Sequence, residues 1–463
     1  MRSLAIDRSA VVDWYLGNRA RSRAIFDLLD PAAYYSRPIA LRNPIVFYEG
    51  HLPAFSILSF LRRGLGHRPI DERLEKLFER GIDPDSAEAA VPRSGAGTTW
   101  PSRDEVLAFG ARADETIVRA LESAEFFEDR PAMRRAQALY TALEHEAMHQ
   151  ETLLYMWHRL PYEQKRRPQA QVLPPDPVRS RDQELPPSGG TVQIAAGVAT
   201  VGASREHVPF GWDNEFDEHG VDVPAFDIDI HNVTNAEFMQ FVDAGGYRAR
   251  EFWSAENWEW LQQEGLTHPN FWIPSTRTQS SARSGQAGWS LRGMFDEIPL
   301  PPDWPVYVSQ AEASAYAQWK ERRLPTEAEF HRAAYGTPSG VERAFPWGDA
   351  PPDASGPARG NFDFARFDPV PVGSYPAGAS AWGVHDLVGN GWEWTSTIFA
   401  PFQGFSPMAS YPEYSADFFD GQHYVMKGAS AGTAKELIRP SFRNWFRPDY
   451  PYVYAKFRTV GSR

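Results

Sequence analysis

Cysteine is absent from all 463 residues, and that absence removes whole classes of chemistry. No disulfide framework, thiolate metal site or cysteine nucleophile can be built. Also missing are an apolar run of about eighteen residues and a charged-then-apolar leader, so a cytoplasmic protein that does not enter a membrane is expected. Positive charge is scarce as well: the net charge is −13. The basic residues are scattered, with short clusters such as Lys165-Arg166-Arg167 and no long stripe. Nucleic acid is therefore not an expected partner.

Aromatic residues, by contrast, make up 14% of the chain, with 16 Trp and 29 Phe. They can pack cores and wall a small ligand. A chain of this length exceeds one ordinary core, so two domains are expected. The spacing predicts helices over roughly 7–30, 43–64, 103–125 and 131–159, which suit an antiparallel four-helix bundle over residues 1–160. A Gly-, Ser- and Pro-rich loop is expected at about 84–102. Ser102 and Glu105 form an S-x-x-E capping pair for the third helix, and Pro131 suits the first turn of the fourth. Residues 161–189, rich in Pro, Arg and Gln, read as a linker. Residues 190–463 then change to short apolar runs punctuated by Gly, Pro, Asn and Asp, with short helices near 234–243 and 310–321. The fold class is α+β in two domains.

The densest chemistry lies in HEAMHQET and YEGHLPAF. Ala138, Ala142, His145, His149, Thr152 and Met156 fall on one helical face, so His145 and His149 point together into the bundle, with the two alanines leaving room beside them. His51 lies on a second stripe with Phe47, Ala54 and Leu58, in a helix that Pro53 should distort. Two imidazoles one turn apart can share an ion, and a third from another helix would complete a three-histidine metal site. HEAMH also fits the H-E-x-x-H pattern of zinc proteases, whose glutamate activates water. No further G-x-x-H follows, however, and that reading leaves the second half of the chain unexplained.

That second half carries Trp212-Asp213-Asn214-Glu215, Val233-Thr234-Asn235, Arg323-Leu324-Pro325-Thr326-Glu327-Ala328-Glu329, Phe345-Pro346-Trp347-Gly348 and Gly389-Asn390-Gly391-Trp392-Glu393-Trp394-Thr395 in order. This succession resembles the formylglycine-generating-enzyme (sulfatase-modifying factor) fold, a variant of the C-type lectin fold, and most of these residues read as scaffold. Formylglycine-generating enzymes hold copper through cysteines, which this chain lacks, so that activity is not expected. The first part resembles the DinB-like helical bundle, whose metal-binding members use three histidines. Together the two parts resemble the nonheme iron sulfoxide synthases of ergothioneine and ovothiol biosynthesis.

The resemblance implies iron(II) held by His51, His145 and His149, with oxygen as cosubstrate. It also implies that Ser441-Phe442-Arg443-Asn444-Trp445 meets the histidine-derived substrate, with Asn444 and Trp445 helping to hold histidine betaine (hercynine) beside Arg443. Two departures stand out. Relatives that use gamma-glutamylcysteine continue with Asp and Arg, where this chain has Phe446-Arg447-Pro448-Asp449-Tyr450. They also carry a catalytic tyrosine in P-Y-x-G-F, where this chain has Pro401-Phe402-Gln403-Gly404-Phe405. Phe402 and Phe446 are thus expected at the substrate site without an acidic proton or a charge, and Tyr411, Tyr414 and Tyr450 are nearby phenols.

The expected reaction joins histidine betaine to a cysteine-type thiol and gives a sulfoxide. Coupling of a selenosugar, as in selenoneine synthase, comes next. An ovothiol-type reaction on histidine itself follows, since the chain ends without the methyltransferase domain common there. A noncatalytic lectin-like or metal-binding module is the remaining alternative, and calcium in the lectin-like domain follows from fold analogy alone.

Overall fold

The computed structural model describes residues 6–79, 100–126, 129–168, 190–275 and 288–462. Most of the expected 84–102 loop and most of the 161–189 linker lie outside them. The chain divides into two units: Met1–Gln169 with Ser406–Ala416, and Ala170–Phe405 with Asp417–Arg463.

The first unit is helical. Helix α1 (Arg8–Phe26) starts where Asp7 accepts a hydrogen bond from the Ala10 amide, satisfying one of the free donors of a helix start. Helix α2 (Ile45–Ser56) is buried along its whole length and runs through Pro53. It then widens into a π-helix at Ile57–Leu65 and stops at Gly66, which adopts the left-handed conformation that lacks a penalty only for glycine. A short helix, α3 (Glu72–Leu77), follows. Helix α4 (Arg103–Ser123) is capped as the sequence predicts, with Ser102 Oγ accepting from the Glu105 amide at 3.2 Å. Glu105 does not reach back to complete the box; its carboxylate pairs with Arg73 instead.

Pro131 does not open the fourth long helix directly. It starts a 3-10 turn (Pro131–Ala136) in which Arg135 and Ala136 take positive φ, and the straight helix α5 begins only at Gln137 and runs to Arg159. Helix α5 is the axis of the unit. Against α1 it packs Trp157 on Phe26, with ring centroids 5.6 Å apart, and Leu143 O accepts from Asn18 at 2.8 Å. Ala138 is buried against the π-helix, where Ser59 Oγ donates to its carbonyl and Gly64 has no room for a larger neighbour. This alanine therefore permits close approach of two helices.

The second unit is built from short strands and short capped helices. Strand β3 (Gly391–Ile398) pairs antiparallel with β4 (Tyr424–Ala429), which in turn pairs with β5 (Asn444–Phe446); β6 (Ala455–Lys456) runs parallel on the other edge of β3. A second sheet sets β2 (Phe226–Asp229) between β1 (Thr191–Ile194) and β7 (Val460–Ser462), joining the start and end of this unit. Capping boxes at Thr234–Glu237, Ser309–Glu312 and Thr326–Glu329 open helices Asn235–Asp243, Gln310–Trp319 and Glu327–Tyr335.

The recognisable motifs are mostly this scaffold. Glu393 receives Arg458 at 2.6 and 2.7 Å in the buried interior, and Glu215 receives Arg439 and Ser441. Charges this far from water persist because each has a partner, and removing one partner would strand the other. The apolar core nearby gathers Ile194, Phe226, Ile228, Phe330, Leu387 and Val460. No helix among the described residues is long and apolar enough to cross a membrane.

Candidate metal centre and substrate residues

His51 on α2 and His145 and His149 on α5 meet in the first unit. One nitrogen from each lies within 4.8 Å of the other two, and His145 Nε2 is 3.1 Å from His149 Nε2. His51 Nδ1 lies 2.7 Å from the Phe78 carbonyl oxygen. A carbonyl can only accept, so Nδ1 carries the proton and Nε2 keeps its lone pair. That Nε2 is buried without a protein partner among the described residues, which is what a ligand nitrogen requires and an ordinary core histidine avoids.

The rings are held by aromatic walls. Phe55 stacks on His145 with centroids 3.4 Å apart, and Phe47 stacks on His51 at 5.0 Å. Phe78, whose carbonyl orients His51, sits so close to Gly50 that a β-carbon there would lie 2.4 Å from its ring. The second-helix glycine thus lets Phe78 reach the histidine. Nothing in the local sequence signals this partner, 27 residues further on.

Burial pushes His51 down to about 4, partly opposed by its bond to the Phe78 carbonyl. His145 is held well below the ordinary histidine value by burial, then by His149 and His51; His149 is lowered by burial, then by His51 and Arg42. All three are therefore neutral near pH 7, as ligands to a cation must be. An unfolded chain protonates these rings below about pH 6.5, whereas folded His51 resists to about pH 4. Between those values the unfolded state binds more protons, so stability rises with pH. Metal-free protein is accordingly expected to show a melting temperature that falls steadily as pH drops through this window, measured by thermal unfolding in chelator. A flat profile would contradict the neutral, buried triad.

Glu146, the glutamate of HEAMH, does not face the histidines' shared centre as a free base. Its Oε1 accepts from Arg19 at 2.9 Å and Ser22 Oγ at 2.6 Å, and the side chain is 1% exposed. Arg19 also pairs with Asp114, to which Tyr15 donates at 2.7 Å. An arginine-paired Oε1 weighs against the zinc-protease alternative, although Oε2 is buried without a partner among the described residues.

The residues expected at the substrate lie in the second unit. Asn444 and Trp445 sit on β5, and the indole stacks on Phe399 at 4.1 Å with Phe418 at 5.6 Å. Asn444 Oδ1 accepts from the Trp445 amide at 2.9 Å, leaving its NH2 group as a donor. Phe446 stacks on Tyr450 at 4.9 Å. Phe402 is covered by the Arg443 guanidinium, 4.2 Å from the ring centre, and met edge-on by His219.

Arg443, also expected among the substrate contacts, is held by protein partners. It is 3% exposed and donates to Glu327, Asn214 O and Ala400 O. The Phe402 ring lies against its guanidinium. Among the described residues no second group of three histidines or carboxylates comes together.

Residues 177–463 match the sulfatase-modifying factor enzyme 1-like domain, and residues 15–153 match the DinB superfamily. A hercynine oxygenase of Mycolicibacterium thermoresistibile is 34% identical over 432 residues, covering 90% of this chain and 87% of its own. Another, of Mycolicibacterium smegmatis, is 34% identical over 470 residues, covering 98% and 99%. The ergothioneine biosynthesis protein 1 of Neurospora crassa is 29% identical over 485 residues, 92% of this chain and 54% of that one.

A DinB bundle with a buried three-histidine cluster, continued by a sulfatase-modifying-factor domain, defines a class of oxidoreductases rather than a noncatalytic lectin-like module. Within that class, the chain belongs to the hercynine oxygenase family.

Proposed function

We propose that this protein catalyses iron(II)- and oxygen-dependent carbon–sulfur bond formation between histidine betaine and a cysteine-type thiol, giving a sulfoxide in ergothioneine biosynthesis. The observation that carries this reading is the triad of neutral imidazoles, with the His51 tautomer fixed by Phe78 and its Nε2 left without a protein partner. Three nitrogen ligands suit iron(II) and leave positions for small molecules. Bound iron would reduce oxygen and acidify a coordinated thiol. The chain's own residues do the rest. Phe47 and Phe55 hold two of the imidazoles between aromatic walls, while Asn444 and Trp445 offer an amide donor and an indole for the carboxylate and trimethylammonium of the betaine. The electrons balance: one C–H and one S–H bond are lost, C–S and S–O bonds form, and the second oxygen atom leaves as water.

The donor is a small one in this reading. Phe446 stands where relatives that use gamma-glutamylcysteine have an acid, and Arg447 lies 3.8 Å from Asp420, an internal partner. A selenosugar would equally need no gamma-glutamyl grip. The test is product mass from iron-loaded protein given histidine betaine or histidine, and oxygen, with cysteine, gamma-glutamylcysteine or a selenosugar. A sulfoxide adduct with cysteine is expected. A product with the selenosugar alone would reassign the chain to selenoneine formation, and oxygen-dependent product from histidine but not its betaine would move it to the ovothiol type. No product with any of these from iron-bearing protein would overturn the coupling reaction.

A further inference from the structure

One stretch of the C-terminal half belongs to the bundle. Ser406–Ala416 leaves the second unit and is tied down at Ser410, which is fully buried. The Ser410 amide donates to Gln137 Oε1 at 3.2 Å, its hydroxyl shares a 2.7 Å hydrogen bond with Thr141, and its carbonyl accepts from Arg63 at 2.9 Å. Three bonds to α5 and the π-helix fix the backbone one residue before a tyrosine. Tyr411 then lies edge-on to Phe55, with centroids 5.0 Å apart, and to His145, at 6.1 Å. Tyr414 follows at 5.8 Å from Tyr411, with its hydroxyl 3.3 Å from Met148 Sδ, between the two histidines of α5.

Two phenols therefore neighbour the triad, and exposure separates them. Tyr48, 5.8 Å from His149, is wholly buried in α2 and packs on Phe47. Tyr411 is half-buried. A strap that only fastened two segments would need Ser410 and an apolar neighbour. This one instead sets a phenol ring edge-on to Phe55 and His145.

We propose that Tyr411, delivered by this strap, donates a hydrogen bond to a small anionic ligand of the metal that the triad would hold, and so sets which ligands the centre accepts. The inference rests on the reading that the triad holds a metal. In a site with so little water, one hydrogen bond to a charged ligand changes affinity roughly tenfold.

The test uses the full-length protein loaded with cobalt(II), whose visible bands report its ligands, in wild type, Tyr411→Phe and Tyr414→Phe. Metal affinity is measured by competition with a chelator, and azide is titrated as the anionic probe. Tyr411→Phe keeps the ring packed on Phe55, so unchanged cobalt affinity with azide binding weakened roughly tenfold is the expected result. Tyr414→Phe is expected to bind azide within about twofold of wild type, well inside the effect of one such bond. Wild-type azide affinity in Tyr411→Phe, a parallel loss of cobalt, or no azide binding by cobalt-loaded wild type would overturn the inference and leave the metal reading standing. Failure of wild-type protein to hold cobalt or iron would overturn both.

Discussion

Replacing His145 by alanine is expected to abolish oxygen-dependent turnover and to lower iron affinity more than about 100-fold, since losing even an outer partner of a metal ligand costs 10–100-fold. The residue is central to the cluster in a way its neighbours are not. Its ring stacks on Phe55, faces Tyr411 and brings Nε2 to within 3.1 Å of His149 Nε2. With it gone, His51 and His149 would remain as a two-ligand site on two different helices. The fold should survive, because His145 makes no hydrogen bond that holds α5 to another helix, whereas Asn18, Trp157 and Ser59 do. Iron content after dialysis, product formation and thermal unfolding measured together separate the outcomes. A variant that retained iron and turned over at the wild-type rate would remove His145 from the centre.

The histidine face was legible because helical periodicity is local: spacings of three and four residues put His145 and His149 on one side before any tertiary structure is known. His51 was legible as a candidate for the same reason. What joins the three was not. The Phe78 carbonyl that fixes the His51 tautomer lies on another element, and the Gly50 that admits Phe78 looks like any glycine in a helix. The π-helix after Pro53 and the 3-10 turn at Pro131 were also hidden, since a proline announces a disturbance without saying which register the backbone adopts. In the second unit the two-domain α+β class followed from texture and ordered motifs. The burial of the arginine in Arg443-Asn444-Trp445 was not legible, because its carboxylate partner, Glu327, is 116 residues away. Ser406–Ala416 offered least of all: its composition resembles the loops around it, and its attachment depends on Gln137, Thr141 and Arg63, each far off in sequence. Local pattern announces which side chains share a face; it is silent about which distant segment will cover that face.

The buried ion pair beneath the metal helix gives the second large effect and bears directly on chemistry. Arg19 is 7% exposed. Burial works against its charge, but Glu146 and Asp114 more than offset that cost, and its pKa is raised above the ordinary arginine value. Arg19→Ala would leave Glu146 charged, dry and without its cation, since Ser22 supplies only a neutral hydrogen bond. The expected loss is about 3–5 kcal/mol of stability, the usual consequence of stranding one member of a buried pair. Glu146→Gln should cost less, about 1–3 kcal/mol, because Arg19 keeps Asp114 at 2.8 Å and the amide preserves shape. In a protease of the H-E-x-x-H type that same change would remove the base and stop catalysis with the fold intact. Here the reverse is expected: Glu146→Gln lowers the unfolding temperature yet leaves iron binding and coupling of histidine betaine near wild type. Loss of turnover in a folded, iron-loaded Glu146→Gln protein would return the carboxylate to the reaction and undo its assignment as a structural partner of Arg19.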